Sequence, residues 1–535
     1  MSLHSVELSL LVLVFFVGAL ALLARQMKTP YPIVLVVGGL LLSFVPHVPK
    51  FTLNPDLVFV VILPPLLLAA GYNTSWHDFR FNLVSICMLA FGLVAFTVVC
   101  SAVAAHWFLP GFDWRAGLVL GAVIATTDAI AATSIGQRLG LPRQLLSIIE
   151  GESLVNDATG LLALQFAIAI YTTGQIPSLA HGAAELAWLV CGGVAVGLGV
   201  GWVIAMVQTP MQDVQLQILV TLVTPYVSYL LGESVHASGI LAVVTTGIFI
   251  GRRASVDLTS SARINAAAVW DTLQFSLNGF VFILIGLQLP QILNGIRDVS
   301  MGLLVRDGLI VGAMVIALRL IWVLPGAHVS YFIRQRILRQ EVSCPDRSSL
   351  FIEGWSGMRG VVALAAAFSL PVTMADGSPF AHRNLIIFLT FCVIFVTLVL
   401  QGLTLPFFIS RLGLSHKGGD REEEIRARQK ILGVALESMQ TMRPTQSPEE
   451  QKVLADLMRI YRRRQLSLKG KAASAENNDN AWRWRHYQQL VRQVRGVERA
   501  EISKMRDGNE VSDEVLRRLE RELDLQDLRY SEEER

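Results

Sequence analysis

Two polar runs interrupt otherwise apolar sequence, and both carry groups that could hold a small cation. The first reads Gly121-Ala122-Val123-Ile124-Ala125-Thr126-Thr127-Asp128-Ala129-Ile130. It sets a carboxylate beside two threonines, whose hydroxyls and carbonyls are hard oxygen ligands. The second reads Glu150-Gly151-Glu152-Ser153-Leu154-Val155-Asn156-Asp157-Ala158-Thr159-Gly160. On a helix, Ser153 and Asp157 stand one turn apart on one face. Asn156 points about 100° round the axis from Asp157. Glu152 leaves on another side and needs its own positive partner. A hydroxyl, a carboxylate and an amide oxygen within two turns suit Na⁺ or Li⁺. Two arginines could neutralise the cluster: Arg319 in Ala317-Leu318-Arg319-Leu320-Ile321, and Arg359 in Gly357-Met358-Arg359-Gly360.

These groups are informative because of what surrounds them. Only 16 % of the 535 residues are charged and 53 % are hydrophobic, where a soluble chain carries about 25 % charged. Mean hydropathy is +0.51. After Leu412 lie 25 of the 45 Lys and Arg and 23 of the 42 Asp and Glu, so the first three quarters are depleted of charge. An ionisable residue inside an apolar span costs several kcal/mol unless paired or hydrated, which makes it a candidate for function.

Spanning a bilayer takes about 20 apolar residues in a helix. Thirteen stretches meet that test: 6–25, 31–46, 57–72, 82–108, 115–134, 145–172, 179–207, 215–231, 236–251, 268–289, 302–325, 350–371 and 384–410. They are too long and continuous for the alternation of a membrane barrel, so the fold class expected is an all-α polytopic membrane protein. The N-terminal stretch lacks the basic flank and cleavage site of a signal peptide and reads as a retained span. Twelve basic residues follow odd-numbered spans and five follow even-numbered ones. That bias puts the N-terminus outside and the C-terminus in the cytoplasm of a cell (inner or plasma) membrane. The fifth and twelfth spans, around Asp128 and Arg359, are both interrupted. Such a pairing is what inverted repeats with two discontinuous, crossing helices would show.

From Lys417 the chain mixes charge with helical apolar spacing over Glu422–Met442 and Gln446–Leu468, with Pro448 at a first helical position. A polar linker is expected at Ala472–Asn480, and two further helices between Trp482 and Tyr530. Basic and acidic residues balance, and no basic stripe suggests nucleic acid. The five cysteines are scattered and form no disulfide or zinc pattern, and no cofactor is expected. Ser153 has no histidine in its motif, so an enzyme is not expected either.

Thr127-Asp128, Gly151-Glu152-Ser153-Leu154-Val155-Asn156-Asp157 and Gly357-Met358-Arg359-Gly360 resemble the first family of monovalent cation:proton antiporters, which includes bacterial Na⁺/H⁺ antiporters and animal Na⁺/H⁺ exchangers. Leu63-Pro64-Pro65 with Ala70-Gly71-Tyr72, Ser238-Gly239-Ile240-Leu241-Ala242 and the run from Asn278 to Leu289 look like that family too. The resemblance covers roughly residues 6–411. One departure is Ala129, where the family usually has proline.

The resemblance implies that Asp157 alternately binds cation and proton, and that Asp128, Ser153 and the Thr127 carbonyl complete the Na⁺ shell. Asn156 and Glu152 would support it, Glu152 would pair with Arg319, and Arg359 would offset charge where the broken helices cross. It also implies a homodimer in the lipid bilayer. Residues 1–80 and 211–300 would form a scaffold, 81–172 and 301–411 a transport core, 173–210 a linking span and 412–535 a cytoplasmic tail. Burial and a like-charged neighbour favour the neutral form of a carboxylate, so H⁺ and Na⁺ would compete for one group. Asn156 cannot titrate and an arginine keeps its proton, which points to one cation exchanged per proton. A K⁺/H⁺ antiporter would use the same residues. A cation-coupled solute symporter would use similar broken helices, but little here would recognise an organic substrate.

Overall fold

The computed structural model describes residues 3–470 except 28, 46–53, 110, 175–177, 297–298, 375–377, 416–418 and 443–447, with a few positions between 490 and 501. The chain divides into two units, Met1–His416 and Lys417–Arg535.

The first unit is helical throughout, with no strand among the described residues beyond one isolated bridge, Thr373 to Pro379. Its helices are α1 (Leu3–Gln26), α2 (Tyr31–Leu42), α3 (Pro55–Asn73), α4 (Trp76–Phe108), α5 (Trp114–Ala125), α6 (Ala129–Leu139) and α7 (Arg143–Thr173). Then come α8 (Leu179–Gln208), α9 (Val214–Ser234), α10 (Gly239–Asp257), α11 (Ser260–Asn294), α12 (Met301–Ile337), α13 (Arg347–Trp355), α14 (Val361–Phe368) and α15 (Arg383–Arg411). Nine stretches among the described residues are long and apolar enough to cross a membrane, with Trp114–Leu139 counted across its break. The shorter apolar α1 and α2, α10 and the α13–α14 pair cover the remaining stretches expected. The α5–α6 pair and α15 are the most buried, while α8 and α9 turn residues such as Trp188, Trp202, Leu219 and Leu230 outward, as lipid contact requires.

Side-chain caps place the helix starts. Asp113 accepts from Ala116 N at 2.8 Å to open α5, and Ser238 accepts from Leu241 N at 3.2 Å to open α10. Such caps satisfy donors that water cannot reach and are worth about 1 kcal/mol each. Where α3 and α10 touch, glycine sets the distance: a Cβ on Gly247 would lie 2.6 Å from the Leu68 carbonyl oxygen. Four π-helical turns widen the spans at Val58–Ile62, Met88–Leu93, Ile333–Ile337 and Thr397–Gln401. Within the second, the Ala90 carbonyl accepts from Thr159 Oγ1 at 2.6 Å and Met88 from Trp322 Nε1 at 3.1 Å, so neither is left unpaired.

The first unit runs slightly past the boundary expected at 411, because Leu414 is buried and Ser415 Oγ donates to the Leu139 carbonyl at 2.6 Å. In the second unit, α16 (Gly419–Met442) packs on α17 (Pro448–Gly470), matching the helices expected there. The expected linker at Ala472–Asn480 lies outside the described residues. So do the helices expected between Trp482 and Tyr530, apart from helical positions at 490, 493–494, 497–498 and 500–501.

Candidate cation and proton site

The Asp128 stretch is a true break. α5 ends at Ala125, Thr126 turns extended (ψ 141°), and Asp128 (φ −105°, ψ 115°) caps α6 by accepting from Ile130 N at 2.8 Å. The second half-helix then runs to Leu139, beyond the limit of 134 expected, and Gly140 (φ 73°) ends it in the left-handed conformation. The Arg359 stretch breaks likewise, between α13 and α14. The two breaks cross and are joined by main chain: Asp128 N donates to the Met358 carbonyl at 2.8 Å.

Two helix C-termini and two N-termini therefore meet in the interior, each end carrying roughly half a charge. Arg359, 1 % exposed, answers the negative ends. Its Nε donates to the Ile124 carbonyl at 3.1 Å and its Nη1 to the Gly357 carbonyl, while its own N–H donates to Thr397 Oγ1 at 3.2 Å. Asp128 lies against the start of α14 so closely that a Cβ on Gly360 would collide with its carboxylate. Gly360 is needed there for space, not for conformation; its φ is −136°.

Helix α7 brings the second polar run to this crossing. Ser153 Oγ donates to the Thr127 carbonyl at 2.9 Å and accepts from Ala129 N at 3.3 Å. The departure at Ala129 is thereby resolved: its N–H, which proline would lack, is bonded to Ser153. Thr127 Oγ1 donates to Glu152 Oε1 at 3.2 Å and accepts from Asn156 Nδ2. Glu152 and Arg319 are each 1 % exposed and form a two-pronged ion pair, Nη2 to Oε2 at 2.7 Å and Nη1 to Oε1. Arg319 also donates from Nη2 to the Glu353 carbonyl at 3.0 Å.

Asp157 is different from all of these. It is buried, and its carboxylate accepts no hydrogen bond from any described residue. It lines a cavity of about 440 Å³ together with Thr127, Asp128 and Ser153. The opposite wall comes from α2, α3 and α11, including Tyr31 and Asn278, and Gln137, Glu150 and Asp271 add further polar lining. The structure thus brings Asp157, Asp128, Ser153 and Thr127 to one cavity wall. Asn156 and Glu152 do not line it; they stand behind, holding Thr127. Asn156 Oδ1 remains unpartnered. Asn278 and Tyr31 were not singled out as site residues from the sequence, because an asparagine within a span and a tyrosine at the start of one carry no charge to flag them. Glu353, a buried acid inside an expected span, did carry that signal.

An arrangement of two crossed, broken helices around unpaired carboxylates, in a chain of apolar helices, defines a membrane-embedded ion transporter of the broken-helix kind. More particularly, the chain belongs to the sodium/hydrogen exchanger family, whose transmembrane model matches residues 11–411. It is 31 % identical over 540 residues to a Mycobacterium tuberculosis protein described as an uncharacterized Na(+)/H(+) exchanger, covering 97 % of this chain and 96 % of that one. A Bacillus subtilis protein described as a sodium, potassium, lithium and rubidium/H(+) antiporter is 30 % identical over 94 % of this chain and 74 % of its own length. The fold matches that of the sodium proton antiporter MjNhaP1 from Methanocaldococcus jannaschii, with a TM-score of 0.58 and 18 % identity over 78 % of this chain and all of that one.

Proposed function

We propose that this protein exchanges Na⁺ for H⁺ across a membrane, one for one, with Asp157 as the carboxylate that holds either ion. The observation that carries this reading is the unpartnered Asp157 carboxylate at a cavity it shares with Asp128, Ser153 and Thr127. Glu152 and Arg359, in contrast, have their partners: Glu152 has Arg319, and Arg359 has helix-end carbonyls. A buried carboxylate left without donors favours whichever cation reaches it. Na⁺ gains Asp128, Ser153 and the Thr127 carbonyl as further oxygens, while H⁺ needs only the carboxylate. The two ligands exclude one another. If the site changes its facing only when occupied, exchange follows without further parts.

Asn156 and Glu152 hold Thr127 in place, and Arg319 and Arg359 keep the surrounding charge balanced. With one titrating group in the cycle, no net charge moves. Residues 81–172 and 301–411 form the moving core, 1–80 and 211–300 the dimer-forming scaffold, and 173–210 the link. The thirteen spans cross with the N-terminus outside and the tail in the cytoplasm, so the cavity, whose polar lining includes Gln137 and Glu150, opens inward. The Bacillus subtilis relative's description includes potassium and lithium, which favours testing K⁺ and Li⁺ beside Na⁺.

Fluorescence-dequenching in proteoliposomes, with imposed gradients of Na⁺, Li⁺ and K⁺, tests the reading. Asp157→Asn abolishes cation-driven proton movement in a correctly inserted protein, and Asp128→Asn weakens cation affinity more gently because other ligands remain. Substantial transport by the Asp157 variant in sealed vesicles would remove that residue from its role.

A further inference from the structure

Glu353 is a second buried carboxylate that the exchange cycle does not use. It lies on α13 one turn before the Arg359 break and is 7 % exposed. Its carboxylate, like that of Asp157, accepts no hydrogen bond from a described residue; only its main-chain carbonyl is engaged, by Arg319 and Ser356. It lines a separate cavity of about 310 Å³, to which none of Thr127, Asp128, Ser153 or Asp157 contributes. That cavity is walled by α4, the start of α7, the end of α12 and the segment 338–346. Its titratable lining is Arg334, Tyr331, Glu341, Cys344 and Asp346. On the protein side the charges are Arg319, then Glu152, with Arg359 beyond.

The chemistry favours a proton at this position. A carboxylate buried without donors is costly when ionised, and a proton arriving through the cavity removes that cost. A metal cation would need several converging oxygens, whereas here the Arg319 guanidinium lies against the Glu353 main chain. Of the cavity's other acids, Glu341 stands on the segment 338–346 and Asp346 caps α13 by accepting from Ser349 N. Arg319 must answer two acids with a single charge: Glu152, which it forks, and Glu353, against whose main chain it lies. When Glu353 is neutral, Arg319 belongs to Glu152. When Glu353 ionises, the interior gains a negative charge, which favours a cation at the neighbouring site. Glu152 in turn accepts from Thr127 Oγ1, so the change reaches the residue that holds Ser153.

We propose that Glu353 is a second proton site, loaded through its own cavity and coupled through Arg319 and Glu152 to the cation site. Its protonation lowers Na⁺ affinity and its ionisation raises it. The coupling rests on the reading of Asp157 as the exchange site. With the orientation inferred above, segment 338–346 faces the cytoplasm, and Glu353 samples the pH of that side.

Two measurements on the full chain test this. The first is pH-induced infrared difference spectroscopy of the Asp157→Asn protein, in lipid. A protonated carboxyl band titrates in that background, is lost on adding Glu353→Gln, and shifts with Glu353→Asp. Adding Na⁺ leaves it in place, because this background lacks the carboxylate that holds Na⁺ at the coupled site and the reciprocal effect of a bound cation is absent. Persistence of the band in Glu353→Gln would overturn the proposal, and so would its displacement by Na⁺, which would make Glu353 a cation ligand. The second is the apparent Na⁺ KM as a function of pH in proteoliposomes. With one shared site, KM changes at most about tenfold per pH unit. The wild type exceeds that slope, Glu353→Gln returns to it, and Glu353→Asp keeps the steeper one. Equal slopes in all three would overturn the coupling. Absence of Na⁺-driven proton movement in the wild type would instead fell the exchange reading, while the infrared band would still decide on Glu353.

Discussion

Removing one member of the Glu152–Arg319 pair exposes how the interior is balanced. Both side chains are 1 % exposed and joined by two prongs, and Arg319 reaches the Glu353 carbonyl from two nitrogens as well. Arg319→Gln leaves a buried carboxylate without its counter-charge and withdraws the guanidinium from that carbonyl, for a cost of about 3–5 kcal/mol. Glu152→Gln leaves a buried guanidinium that still has the Glu353 carbonyl and an amide oxygen to donate to, so its cost sits near the lower end, about 3 kcal/mol. The double variant buries no unpaired charge at this position and costs less than either single change. The coupling is then at least about 3 kcal/mol, at or above the top of the range for residues in contact, or more than a hundredfold in the unfolding equilibrium at about 1.4 kcal/mol per tenfold. Denaturant unfolding in detergent micelles, followed by helicity, measures all four corners of the cycle. Additivity within about 0.5 kcal/mol would refute the idea that the pair compensates a buried charge.

Three other outcomes are expected. Gly360→Ala forces the Asp128 carboxylate away from the start of α14; it costs about 1–3 kcal/mol of stability and raises the Na⁺ KM, and an unchanged KM would show that this close approach does not matter for binding. Truncation after His416, where the first unit ends, leaves exchange measurable with a shifted pH dependence; complete loss of transport in a correctly inserted truncation would show that the tail belongs to the engine. Rate against pH is bell-shaped, because protons exclude Na⁺ from Asp157 at low pH and are too scarce for the return step at high pH. Raising Na⁺ tenfold moves the acidic limb to lower pH by up to about one unit, and by the full unit in Glu353→Gln, where a single proton competes. An acidic limb that ignores Na⁺ concentration would sink competition at Asp157.

The sequence by itself determined the helical membrane fold and the polar inventory of the site. Apolar runs with no water to satisfy the backbone must be helices, and acids within them stand out because each is costly. Helical spacing also determined that Ser153 and Asp157 share a face while Asn156 and Glu152 leave it, since 3.6 residues per turn fixes direction. Direction is not partnership, and that is where the tertiary structure decided. Arg319 comes to Glu152 from 167 residues away, and nothing local in either helix says that the same arginine also meets Glu353. The Ala129 N–H finds Ser153, so a break expected at a proline forms without one. Asn156 turned out to stand behind the cavity, not on it, because its amide is drawn to Thr127 across the break. Cavities are made by several helices at once, so the chamber at Asp157 exists only once α7 meets α2, α3 and α11, and the one at Glu353 only once α7 meets α4, α12 and α13.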